Sequence, residues 1–174
     1  MALFLRHLLS IVILPGTVTV AVPIWIARRN RIVFTPPANI VDVALLGAGA
    51  LALAVGVLLF AASLARFVTE GRGTLAPWDP PRRLVVRGPY LYVRNPMISG
   101  VIFVLFGEAL VLRSKPHAWW TLTFAVMNLI WIPLFEEPVL TAMFGDDYRD
   151  YRRHVRRFVP RLRPYEARDR IRAR

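Results

Sequence analysis

Four apolar runs divide the 174-residue chain and leave it little choice of fold. They cover about Leu8–Ala27, Ile40–Leu64, Pro96–Leu112 and Ala118–Phe135. A run of about 20 apolar residues is long enough to cross a hydrocarbon core as a helix. In that medium every backbone polar group must be paired within the segment, which a helix achieves and an isolated strand does not. The expected fold class is therefore an all-α integral membrane protein with about four transmembrane helices. The first run follows Arg6, and Val20-Ala21-Val22 loosely resembles a signal-peptidase site. Trp25 followed by Arg28 and Arg29 makes a good interface anchor, so the run is read as a retained helix. The third run is short and is expected to begin within the headgroup region.

With 56% hydrophobic residues the chain reads as one membrane domain over 1–174. Within it, 1–65 form a helical hairpin, 66–95 a loop, 96–135 a second hairpin and 136–174 a basic cap. Gly47, Gly49 and Gly56 in the second run suit close helix packing. Arg113-Ser114-Lys115-Pro116 is a tight turn, so runs three and four are antiparallel. The long loop and the C-terminal tail then fall on one side of the bilayer. Of the 23 Lys and Arg, all but Arg28, Arg29, Arg31, Arg113 and Lys115 lie on that side with the N-terminus. The positive-inside rule makes that side cytoplasmic, in a bacterial inner membrane on this reading.

Composition also closes off several chemistries. There is no Cys, which removes disulfides, thiol nucleophiles and Cys-ligated metals. His7, His117 and His154 lie far apart in the sequence, so no metal is expected. The net charge of +12 comes almost wholly from Arg. In a membrane chain this favours anionic lipid as partner over nucleic acid, which would need a soluble domain to present the charge. Gly71-x-Gly73 has no strand before it and is read as loop, not as a nucleotide fingerprint.

Two segments carry chemistry. In Arg94-Asn95-Pro96, proline suits the first turn of a helix, where its missing N–H would be unpaired anyway, and Asn95 stands at the cap position. The helix start and the Arg94 fork could together hold an anion. A lipid-phosphate anchor is the plainer use of the same residues. At the end of run four, Glu136 and Glu137 place two carboxylates at a bilayer boundary, a costly arrangement unless cations or hydrogen-bond donors oppose them. Salt bridges to nearby Arg compete there with a ligand carrying cationic groups and hydroxyls. The two segments together suit a zwitterion such as S-adenosylmethionine. Further on, Gly145 can end a helical turn and the Asp146-Asp147 pair can cap the next helix. That helix, over about Asp147–Phe158, has Tyr148, Tyr151, Val155 and Phe158 on one face and Arg on the rest. It reads as lying in the membrane interface, and Val159-Pro160 stops it.

These residues bring a resemblance. Leu84-Val85-x-x-Gly88-x-Tyr90-x-x-x-Arg94-Asn95-Pro96-x-x-x-Gly100 resembles the cofactor motif of the isoprenylcysteine carboxyl methyltransferase family. That family includes bacterial integral-membrane methyltransferases and is related to the phospholipid methyltransferases. Glu136-Glu137-Pro138-Val139-Leu140, Phe144-Gly145, Tyr148, Tyr151 and Val159-Pro160-Arg161 resemble its second signature. The resemblance covers roughly the C-terminal half. It implies a helical enzyme that binds S-adenosylmethionine under a cytoplasmic cap, with no Rossmann fold. It also implies that Leu84, Val85, Tyr90, Arg94, Asn95, Pro96, Met97, Ile98, Glu136 and Glu137 line the cofactor. Asn95 and Ile98 stand where the family often has His and Tyr, and Ile132 where the eukaryotic enzymes carry an Arg that holds the acceptor carboxylate. Arg149, Arg152 or Arg153 would have to supply that contact.

The implied function is methyl transfer to a lipophilic small-molecule or lipidated acceptor, by carboxyl O-methylation of the isoprenylcysteine type. Phospholipid or amine N-methylation is the alternative, as is a non-catalytic membrane protein that keeps the pocket. No catalytic base stands out, which favours an acceptor that is already anionic. Glu108, about 18 Å along its helix from Pro96, is too far for that chemistry and is expected to pair structurally with Asn128, Arg113 or His117.

Overall fold

Asn39 and Asp42 set the start of the longest helix. Asn39 Oδ1 accepts the Asp42 amide at 2.9 Å, and Asp42 Oδ2 accepts the Ala38 amide at 3.0 Å, a reciprocal cap that pairs two otherwise orphaned donors. This is a computed structural model, and it describes residues 13–70 and 83–166. Every regular element among the described residues is helical. A π turn over Thr17–Ala21 leads into α1 (Val22–Arg29), followed by α2 (Ile40–Glu70), a 3₁₀ turn (Gly88–Leu91), α3 (Pro96–Val111) and α4 (Lys115–Trp131). A second π turn over Ile132–Glu136 carries α4 directly into α5 (Glu137–His154).

Among the described residues, α2 and the continuous stretch Lys115–His154 are long and apolar enough to cross a membrane. Helix α3 is apolar but has 16 residues, about 24 Å of rise against a core of about 30 Å. Leu51, Val57 and Leu58 on α2, and Trp119, Leu122 and Ile130 on α4, are exposed. So much apolar side chain on the outside of helices is what lipid, not water, accommodates. The protein is a membrane protein. The opening of the first run and residues 71–82 of the loop, with Gly71 and Gly73, lie outside the described residues.

The chain gathers into two units, one of residues 1–58 with 100–127, the other of 59–99 with 128–174. In the first, glycine lets α2 and α3 approach closely. A Cβ on Gly56 would stand 2.7 Å from the Gly100 carbonyl, and one on Gly107 would stand 2.7 Å from Leu53 Cγ. Gly49 is similarly enclosed by Val111, Gly107 and Leu110. Gly47 differs from expectation: nothing lies within 4 Å of its missing Cβ.

The expected tight turn closes α3 onto α4, with Arg113 at φ 47° and Ser114 Oγ accepting the His117 amide. Buried His117 also meets Ser114 Oγ through Nδ1 (2.7 Å) and the Pro23 carbonyl through Nε2 (3.2 Å). Arg113 pairs with Asp42 at 2.8 Å and with Thr35. Two of the three partners proposed for Glu108 are thus engaged elsewhere, and Glu108 Oε2 is buried without a hydrogen bond among the described residues.

The close approach of α2 and α3 yields a test. Gly56→Val must push backbone away from backbone, an overpacking cost of about 1–3 kcal/mol. Its melting temperature in detergent should fall by several degrees, while Gly47→Ala should melt with the parent.

Candidate functional site

The second unit collects the motif residues around one carboxylate. Pro96 is the first residue of α3, as its chemistry predicts. Ahead of it, Asn95 offers its carbonyl to the amide and hydroxyl of Ser99, both at 3.0 Å. The Asn95 amide donates to the Arg157 carbonyl (3.1 Å), and the Arg94 amide to the Arg156 carbonyl (2.9 Å). Two further bonds, Arg161 N–H to the Tyr92 carbonyl and Tyr165 N–H to the Leu91 carbonyl, tie the tail to the same loop.

This pinning explains why α5 ends at His154, one turn earlier than the sequence pattern predicts. Val155 turns extended (φ −116°, ψ 127°) so that the next residues can pair with the loop. Gly145 interrupts α5 with φ 56° and ψ −128°, where a break was expected. The apolar face of α5 corrects the interfacial expectation. Tyr148, Tyr151 and Val155 do not face lipid but form a core with Val86 and Tyr165, flanked by Leu84, Leu91, Leu140 and Phe144. The Tyr151 hydroxyl donates to the Tyr90 carbonyl at 2.6 Å.

Glu137 stands at the centre, with only 3% of its side chain exposed. Arg94 Nη1 lies 3.0 Å from Oε1, and Arg157 forks onto it through Nε (2.5 Å) and Nη2 (3.0 Å). Arg152 Nη1 approaches Oε2 at 3.4 Å from a half-exposed position. A buried carboxylate is tolerated only with such compensation. Hydrogen bonds to Glu137 in turn push the Arg157 guanidinium above its ordinary value.

Glu136, the last residue of the π turn, is half-buried and makes no ion pair or side-chain hydrogen bond among the described residues. Two donors nearby are also unmatched. The Tyr90 hydroxyl and Arg94 Nε are buried with no hydrogen-bond partner among the described residues. Tyr90 is 8% exposed, and the Arg94 side chain likewise 8%. Burial, with the Glu136 charge adding to it, pushes the Tyr90 phenol up. Buried polar atoms without partners are rare in folded chains and need an explanation, such as a bound ligand.

The other sequence-predicted residues divide by exposure. Val85 is buried, while Met97 and Ile98 in the first turn of α3, and Leu84 beside the tyrosine core, are half-buried. Of the three arginines proposed for the acceptor, Arg152 reaches the site. Arg149 instead pairs with Asp146 at the surface (2.8 Å), and Arg153 is exposed. Arg157 was not singled out from sequence as a site residue. The signal available was indirect: a carboxylate as buried as Glu137 needs more than one cation.

Residues 45–147 match the phospholipid methyltransferase family. The chain belongs to that family. The match runs from the first half of α2 into α5, and so takes in the loop, Arg94 and both acids. Methanethiol S-methyltransferase 2 from Bradyrhizobium diazoefficiens is 42% identical over 81 residues, covering 44% of this chain and 29% of that protein. The chain therefore spans less than a third of that relative's length. No solved structure matches this member of the phospholipid methyltransferase family.

The Tyr151–Tyr90 bond yields a test. Tyr151→Phe removes one buried hydrogen bond worth about 1 kcal/mol and leaves a carbonyl unpaired. The melting temperature should fall by about 2–4 °C.

Proposed function

We propose that this protein is an S-adenosylmethionine-dependent methyltransferase acting on a lipophilic acceptor at the cytoplasmic face of a bacterial inner membrane. Family membership supports the reaction class. The observation that carries the ligand is the trio of unmatched polar groups: Tyr90 hydroxyl, Arg94 Nε and the Glu136 carboxylate. Two donors and an anion together suit the zwitterionic end of that cofactor, with its carboxylate to Tyr90 and Arg94 and its ammonium to Glu136. Leu84, Val85, Met97 and Ile98 offer apolar surface to the remainder, and Asn95 and Pro96 form the helix start beside it. Bound S-adenosylmethionine supplies an electrophilic methyl group on a sulfonium.

What the chain contributes is placement and exclusion of water, the two requirements of an in-line displacement. Arg152, half-exposed beside Glu137, is the cation available to hold an anionic acceptor, a carboxylate of the isoprenylcysteine type. His154 is exposed at the end of α5, with its Nδ1 2.8 Å from the Asp150 carbonyl and its ring stacked on Tyr165. Transfer to a thiolate is the second reading, favoured by the methanethiol S-methyltransferase relative. The architecture in this proposal is four spans with the loop between α2 and α3 and the basic tail as a cap, in contact with anionic lipid and needing no metal or nucleic acid.

Calorimetric titration with S-adenosylhomocysteine tests the ligand. The parent should bind, and Glu136→Gln should weaken binding at least about tenfold, as expected for lost charge-assisted bonds. Unchanged affinity would defeat the assignment. Incubation with methyl-labelled cofactor and membrane extract then identifies the acceptor: base-labile label marks a carboxyl ester, stable label on sulfur a thioether, and label in phospholipid an N-methyl product. The absence of Cys makes topology easy to read. A single cysteine introduced at Arg153 should react with an impermeant maleimide only after the cell is opened.

A further inference from the structure

The two adjacent acids stand in different surroundings. Glu137 has its oxygens occupied by Arg94, Arg152 and Arg157 and is closed off from solvent. Glu136 is more open, has no such partner among the described residues, and stands within electrostatic reach of Tyr90, Arg94 and Tyr148. They also belong to different elements, since Glu136 ends the π turn and Glu137 begins α5. A carboxylate has lone pairs for about four hydrogen bonds, and Glu137 has spent most of them inside the protein.

The contacts of Glu137 form a closed circuit. From α5 it grips the Arg157 side chain, the Arg157 carbonyl holds the Asn95 amide, and the neighbouring Arg94 side chain returns to Glu137. Three segments far apart in sequence meet in this circuit: the loop before α3, the start of α5 and the tail beyond it. Breaking it at Glu137 would leave Arg94 buried with its main counter-charge gone.

We propose that the acids divide two tasks: Glu136 alone is the ligand-facing carboxylate, and Glu137 is an internal clasp that fixes the tail against the Arg94–Asn95 loop. Glu136 is then the residue that selects a cationic group on the ligand. The ligand half rests on the cofactor reading above, whereas the clasp half does not.

Three variants separate the halves: Glu136→Gln, Glu137→Gln and Arg157→Gln, the last a milder break should Glu137→Gln fail to fold. Each is melted without ligand and titrated with S-adenosylhomocysteine in the same detergent. Glu136→Gln should melt within about 2 °C of the parent, since it loses no internal partner. Glu137→Gln should melt about 6 °C lower or more, and Arg157→Gln lower by a smaller margin, because each opens a buried pair. In titration, Glu136→Gln should bind at least roughly tenfold more weakly, and Arg157→Gln within about threefold of the parent.

The division is overturned if Glu136→Gln binds like the parent, if it melts as low as Glu137→Gln, or if Arg157→Gln loses affinity as severely as Glu136→Gln. A parent that binds no S-adenosylhomocysteine overturns the cofactor reading and the ligand half with it. The melting temperatures of the ligand-free proteins then decide the clasp on their own.

Discussion

An ionised carboxylate with almost no exposure to solvent is the constraint around which the second unit is arranged. Taking Glu137 out of water costs several kcal/mol, and only cations with hydrogen bonds in good geometry offset it. Arg157 meets that need with a two-pronged fork, the strongest geometry available to the pair. To deliver Arg157, α5 must stop at His154 and the chain must turn back along the loop. To deliver Arg94, the loop must end where Pro96 opens α3. The end of one helix and the start of another thus bring cations to the same buried charge.

Local rules made some of this legible in the sequence. Proline at a helix start, glycine at the break in α5, the turn at Arg113–Ser114 and the Tyr148–Tyr151–Val155 stripe depend on a few neighbouring residues, and each is found where its chemistry puts it. What escaped was the direction in which the stripe faces. An aromatic stripe on an Arg-rich helix is equally consistent with lipid or with a protein core. What decides is Val86, in the loop before α3, together with Tyr165, beyond the end of α5. Gly47 shows the same limit, because composition marks a small residue without saying whether another helix passes beside it. Arg157 was hidden for a further reason: it is one of many arginines in the tail, and only the fold selects it. The family was readable because two motifs keep a spacing across a helical hairpin, and the match to the phospholipid methyltransferase family takes in the first motif and the opening of the second.

The two units use different means of cohesion. In the first, helices meet through glycine and backbone, the usual solution where lipid leaves no hydrophobic force between helices. In the second, tyrosine hydroxyls, guanidiniums and backbone bonds between loop and tail do the holding.

The π turn at Ile132–Glu136 has a geometric consequence for everything after it. Pro133 and Pro138 each lack an amide donor, so ordinary winding would leave gaps in the ladder there, and the wider turn is one way the backbone accommodates them. Such a turn holds about one residue more than an α turn. Rewinding the segment to regular α geometry would therefore rotate the whole of α5 by about 100° about its axis. Both acids would swing to another azimuth, and the tyrosine face would leave its pocket. A local irregularity of five residues thus acts as the phase setting for α5 and the chain beyond it.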